Sequence, residues 1–149
     1  MILYHFTSFY NLKNVGPENI LAVGLKPGKD SWREWPLEPV PPPVVWFTTN
    51  PNPTVRYAGY WEARITAMIP SHDRKLIGFA AYLRKHYNEG LEFLQGHGPI
   101  MQEGLRDFYL YFGHVPVSRF RAVDPVETEA EPEGLATENP RQRMEPIVP

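Results

Sequence analysis

The 149-residue chain has no cysteine. That absence excludes disulfides, thiolate metal sites and cysteine nucleophiles, and it fits a reducing compartment. No stretch approaches the ~18 apolar residues of a membrane-spanning helix. The opening Met1-Ile2-Leu3-Tyr4-His5-Phe6 has no basic run and no long apolar core, so no secretory signal is read there. The expectation is a cytoplasmic, soluble monomer with no membrane partner. Glycine-rich phosphate loops of the GxxxxGK or GxGxxG kind are missing too. His97 and His114 fall outside any HExxH spacing, so no metal is expected. Ser71-His72-Asp73 is contiguous, and sequence neighbours cannot assemble a nucleophile–base–acid triad.

Charge is scarce but unevenly placed. The net formal charge is −2. Residues 124–149 hold seven acids and two bases, a local charge of −5, which leaves +3 on residues 1–123. A mildly positive body suits an anionic small molecule and falls short of the strong basic patch expected of a nucleic-acid binder. What the chain has in abundance is proline, seventeen residues, and aromatics, twenty residues. Proline limits the length of regular elements. The aromatics supply a compact core or a stacking surface for flat rings.

The pattern predicts an α+β chain with two small antiparallel or mixed sheets forming a split core, flanked by helices. Met1 to Phe6 reads as a short strand. Thr7 or Ser8 then caps a helical turn through Phe9, Leu12 and Val15, and a second short helix fits Pro17 to Val23, stopped by Gly24. Residues 28–43 form a long loop whose Trp32 and Trp35 argue against simple disorder. They suit either an exposed stacking strip with Arg33 or a buried lid.

Val44 to Thr49 is the clearest strand, stopped by Asn50-Pro51-Asn52-Pro53. Thr54 to Tyr60 fits a short helix and Ala63 to Ile69 an alternating strand. Asp73 is read as the cap of a helix carrying Leu76, Phe79, Ala80, Leu83 and Tyr87 on one face. Asn88 to Gln95 continues as another helix, Asp107 to Phe112 as a strand, and Val115 to Val123 as extended chain. From Asp124 onward there is no aromatic residue and the bias is acidic, so 1–123 is read as the folded domain and 124–149 as an acidic, proline-rich flexible tail.

Three places can carry chemistry. His5-Phe6-Thr7-Ser8 offers an imidazole and two hydroxyls where a strand opens, a group able to hold ribose hydroxyls. Phe47-Thr48-Thr49 ends a strand, and Tyr60 follows after a helical turn or two, so two rings can face each other across a slot for a flat heterocycle. Asp107 opens a strand, where a carboxylate can hold a 2′-hydroxyl and stabilise a developing oxocarbenium ion. Each also has an ordinary reading: a structural histidine, a packed strand and helix, a solvated or capping acid. Arg84-Lys85-His86 reads as a solvated helix face, while Arg74 could assist a phosphate.

In this order, the segments Leu3-Tyr4-His5-Phe6-Thr7-Ser8, Asn11-Leu12, Gly24-Leu25, Trp46-Phe47-Thr48-Thr49, Tyr57-Ala58-Gly59-Tyr60 and Asp107-Phe108-Tyr109-Leu110-Tyr111 resemble the ADP-ribosyltransferase family. The likeness is to the diphtheria-toxin and poly(ADP-ribose) polymerase branch, and most of all to small bacterial members related to DNA-modifying toxins. It covers roughly residues 1–123. It implies NAD as substrate, with His5 on the adenosine ribose, Tyr60 stacked on nicotinamide, Phe47 closing the other side of the slot and Asp107 on the nicotinamide ribose. His5, Phe6, Thr7, Phe47, Thr48, Thr49 and Tyr60 would bind the dinucleotide, and Asp107, His5 and Tyr60 would form the catalytic set. The family's usual acid is glutamate. Asp107 is one methylene shorter, and a carboxylate displaced by ~1 Å can lose about 10²-fold in rate. Glu103 is the alternative acid.

Three functions follow from the resemblance. The first is transfer of ADP-ribose from NAD to a macromolecule, protein or nucleic acid, or to water. The second is an inactive module that binds NAD or an ADP-ribose-like nucleotide. The third, tRNA 2′-phosphotransfer, would ask for more pocket arginine and histidine than the body's charge suggests.

Overall fold

The computed structural model describes residues 1–13, 19–33, 35–53, 62–87 and 99–126. The helices expected at Thr54 to Tyr60 and Asn88 to Gln95, together with Val15, Pro17, Tyr60 and the segment from Glu127 onward, lie outside the described residues.

The elements run β1 (Ile2–Thr7), α1 (Phe9–Lys13), α2 (Ile20–Val23), β2 (Val45–Thr48), β3 (Ala63–Met68), β4 (Leu76–Gly78), α3 (Phe79–His86), α4 (Pro99–Asp107), β5 (Phe108–Tyr111), a 3-10 turn (Val117–Arg119) and β6 (Phe120–Pro125). The class is α+β. The strands form one six-stranded antiparallel sheet in the order β4-β5-β2-β1-β3-β6. The expectation of two small sheets is thus replaced by one sheet, and the reason lies at its centre. β1 pairs with β3 along its whole length, from Ile2↔Met68 to Thr7↔Ala63. Its pairing with β2 is reduced to the single partner Tyr4↔Thr48. The ladder narrows there without separating.

Residues opposite one another across antiparallel strands share a face. One face therefore carries Leu3, His5 and Thr7 of β1, Ala63, Ile65 and Ala67 of β3, Val45 and Phe47 of β2, and Tyr109 and Tyr111 of β5. β3 shows the alternation most cleanly, its odd positions buried and its even positions half-buried. Leu12 from α1, Ile20 from α2, Leu25 and Val115 cover this face. The opposite face carries Trp46, Leu110, Phe108 and Ile77, and it is covered by Phe79, Tyr82 and Leu83 of α3 together with Trp32.

Local chemistry sets the ends of the helices. Ser8 Oγ accepts the Asn11 N–H at 3.1 Å, which makes Ser8 rather than Thr7 the cap of α1. Asn19 Oδ1 accepts the Ala22 N–H at 3.0 Å at the start of α2. Gly24 follows α2 with φ 93°, and a Cβ there would stand 2.1 Å from the Val115 carbonyl oxygen. Only glycine permits the close approach that lets Leu25 and Val115 exchange two backbone bonds of 2.8 Å.

The loop of residues 28–43 is a packed lid, not an exposed stacking strip. Trp32 is buried, its Nε1–H donating to the Pro42 carbonyl at 2.7 Å and its ring 5.0 Å from that of Trp46. The helix expected to begin before Leu76 begins at Phe79. Leu76–Gly78 pairs instead with Tyr111–Tyr109, and Asp73 closes the preceding turn by accepting the Lys75 N–H at 2.9 Å. At the other end, β6 runs two residues past Val123. Pro125 pairs with Ala63, Asp124 meets Arg64 at 3.6 Å, and the Val126 N–H reaches the Glu62 carbonyl.

Candidate functional site

The C-terminal end of β2 and the joint between α4 and β5 meet beside the narrowed β1–β2 contact. Thr48 pairs with Phe108, the last pair of the β2–β5 ladder. One step further the Thr49 N–H donates to the Asp107 carbonyl at 3.0 Å, and the Thr49 hydroxyl approaches the same oxygen at 3.4 Å. Beyond them the chain turns on its own side chains. The Asn50 N–H donates to Thr48 Oγ1 at 3.1 Å and the Asn52 N–H to Asn50 Oδ1 at 2.9 Å. These local turns explain why the strand stops at Thr48.

His5 lies where β1 and β2 part. Its Nδ1 is 2.8 Å from the Trp46 carbonyl oxygen. A carbonyl can only accept, so Nδ1 carries the proton, and in the neutral ring Nε2 is left as an acceptor. Burial lowers the pKa of His5 below the ordinary histidine value, against the opposing pull of the Trp46 carbonyl. The imidazole is therefore neutral at pH 7, and its Nε2 suits a hydroxyl donor better than a phosphate. Its ring also lies edge-on to Phe47, with centroids 6.0 Å apart.

The remaining candidates fall into two groups. Thr49 is exposed and Phe6 half-buried, whereas Phe47, Thr48 and Thr7 are buried. Phe47 is only 2% exposed, because the alternation that places Val45 toward the aliphatic core places Phe47 there too. Its ring is packed in the core, so the expected slot between Phe47 and Tyr60 has no open Phe47 side. Tyr60 lies outside the described residues. Thr7 Oγ1 accepts from Asn11 Nδ2 at 3.4 Å, which ties the end of β1 to α1.

Asp107 is the last residue of α4, not the first of a strand. The turn from helix to strand leaves its carboxylate 14% exposed and joined to Arg106 by two bonds of 3.0 Å. The Thr49 N–H bond to its carbonyl places the Asp107 backbone beside the end of β2. Glu103, one helical turn earlier, is buried at 4% and accepts from Asn50 Nδ2 at 3.4 Å.

Sequence reasoning passed over Arg106 and Asn50. The signal for the first was its adjacency to Asp107; for the second, the repeated Asn-Pro of the turn. Among the described residues no group of three or more His, Asp or Glu side chains is gathered as for a metal ion. No helix there is long and apolar enough to cross a membrane. Compared with known proteins, the chain matches no family model, no curated sequence and no solved structure.

Proposed function

We propose that the chain is an NAD-dependent ADP-ribosyltransferase, or a glycohydrolase where water is the acceptor, with its site at the parting of β1 and β2. The observation that carries this reading is that β2 links the candidates: the Trp46 carbonyl holds the neutral His5 ring at 2.8 Å, and the Thr49 N–H bonds to the Asp107 backbone at 3.0 Å. The sequence resemblance supplies the chemistry, and this geometry supports it.

In this reading His5 Nε2 accepts a ribose hydroxyl of the dinucleotide, and Tyr60 stacks on nicotinamide. Asp107 lies against the other ribose. The bond between nicotinamide nitrogen and ribose carbon breaks, and its electron pair leaves with a now neutral nicotinamide. The ribose carbon becomes positive and is captured by a lone pair of the acceptor, whose proton passes to solvent. Asp107 contributes most as that positive charge develops, so it lowers the barrier more than it strengthens binding.

A second reading, an inactive module that holds NAD or an ADP-ribose-like nucleotide, draws on the Arg106–Asp107 pair. A guanidinium bonded twice to the carboxylate offsets the charge that would stabilise the cation.

Nicotinamide release from NAD separates the two readings. Asp107→Ala should abolish release and change NAD affinity by less than about tenfold. Full activity in Asp107→Ala would move the acid to Glu103. Tight NAD binding with no release in the native chain would leave the binding module. No calorimetric heat and no thermal shift with NAD at millimolar concentration would defeat both.

A further inference from the structure

Far from β6, the C-terminal end of α3 forms an apolar groove of about 460 Å³ with the loop that precedes β2. Tyr82, His86 and Phe112 make one wall, and Pro39, Val40 and Pro42 the other. The aromatic wall is continuous: Tyr82 lies 4.3 Å from His86 and 5.3 Å from Phe112, centroid to centroid. The proline wall is pinned, because the Tyr87 hydroxyl donates to the Pro39 carbonyl. Val40, 52% exposed, stands over the groove as the largest uncovered apolar side chain of the loop. Beside it Arg84, Lys85 and His86 are all exposed.

We propose that this groove receives the chain's own segment Met144–Pro149. Grooves with aromatic walls take extended proline-containing segments, whose prolines three residues apart fall on one side of a polyproline helix. Pro146-Ile147-Val148-Pro149 has that spacing, and Glu145 precedes it. The linker of residues 127–140 carries five acids and no base, opposite in sign to the Arg84-Lys85-His86 turn, and within the docked segment Glu145 is the one charged side chain. Chain length allows the contact. The groove belongs to the β4 side of the sheet, about 24 Å from β6 at ~4.8 Å per strand. The eighteen residues from Val126 to Met144 reach as far as roughly 60 Å. The inference does not depend on NAD chemistry.

The absence of cysteine gives a direct test on the full chain. Met144→Cys carrying a nitroxide should cost the amide resonances of Val40, His86 and Phe112 more than half their intensity, while those of Leu3 and Thr66 keep theirs. Intensity lost nowhere selectively, or lost elsewhere, overturns the proposal. Val40→Lys, at an exposed wall position, should restore the lost signals without altering the rest of the spectrum; their continued loss overturns it as well. A mixture of labelled chain and separately isotope-enriched, unlabelled chain should show no broadening. Broadening in that mixture would assign the contact to a second copy and overturn the intramolecular docking.

Discussion

The two faces of the sheet are built differently. All six strands contribute to one face, and its cover is mostly aliphatic: Leu12, Ile20, Leu25 and Val115 over Leu3, Ile65, Val45 and Phe47. Among the described residues, only strands β2, β5 and β4 contribute to the other packed cluster, where Trp32, Trp46, Phe79, Tyr82 and Phe108 meet ring to ring. On that same side β1 and β3 show Tyr4, Arg64 and Thr66, half-buried, with the Arg64 guanidinium 5.9 Å over the Tyr4 ring. Arg64 also donates to the Pro51 carbonyl at 2.9 Å, holding the turn after β2 against β3. The shared aliphatic face makes the six strands one sheet. The aromatic face fixes a lid on half of it. The candidate site falls where the strands of the two halves touch least.

The largest effect should come from removing the centre of the aromatic cluster. Trp32→Ala should cost about 3–5 kcal/mol, since the cavity cannot be refilled by the rings around it. Hydrogen exchange should show β4, α3 and the loop of residues 28–43 losing protection before the β1–β3 ladder. Equal losses everywhere would show that the two faces open as one unit, and would break the comparison.

Next comes a change on the aliphatic face. Gly24→Ala should cost about 2–4 kcal/mol, because the positive φ and the clash with the Val115 carbonyl act together. Leu25 and Val115 both belong to the aliphatic cluster. Exposure should therefore begin at α2 and leave the tryptophan fluorescence of the lid near its native value. A thermal midpoint unchanged by the substitution would show that the Leu25–Val115 contact is not held as described.

How far the sequence revealed this depended on the length of the element. The alternation over residues 63–69 was enough to read β3, whose odd positions are buried. β4 was hidden because it has three residues and runs directly into α3. Leu76 and Phe79 stand three apart and imitate one helical face. The single sheet was hidden for another reason: which strand β1 pairs with is a tertiary choice that its six residues do not encode. At the candidate site, His5 and Thr49 could be picked out from type and position. The burial of Phe47 follows from strand alternation with Val45, a legible signal set aside in favour of an aromatic slot. The Arg106–Asp107 pair depends on α4 ending at Asp107, a boundary that propensity alone reads poorly.

His5 tests the line between the two halves. Its lowered pKa has a definite sign. The unfolded chain binds the proton at about pH 6.5 and the folded chain only at a lower pH, so stability is highest above 6.5 and declines as pH falls below it. His5→Leu should lose about 1–2 kcal/mol at pH 7, since the Trp46 carbonyl loses its donor. The same variant should flatten the decline below about pH 6.5. A variant that keeps the full acid slope would show that another group is responsible.

The smallest effect belongs to Tyr111, at the edge of the shared aliphatic face. Its hydroxyl donates to the Asp73 carboxylate at 2.8 Å. The Lys75 N–H holds the pKa of Asp73 down, helped by that hydroxyl and by Arg119 and Lys75, against a smaller opposing effect of burial. Burial, and then Asp73, raise the pKa of Tyr111. Tyr111→Phe should cost about 1 kcal/mol near neutral pH, because the ring stays packed and Asp73 keeps the Lys75 bond. Both pH limits follow by linkage. A lowered aspartate pKa stabilises the fold above pH ~3.8 and ceases to do so as pH falls through the folded value. A raised tyrosine pKa stabilises the fold below pH ~10 and ceases to do so as pH rises through the folded value. The difference between native chain and variant should therefore be widest between about pH 5 and 9 and shrink toward both ends. Denaturant midpoints across that range measure it, and a difference that does not vary with pH would mean that the lost hydroxyl contributes packing alone.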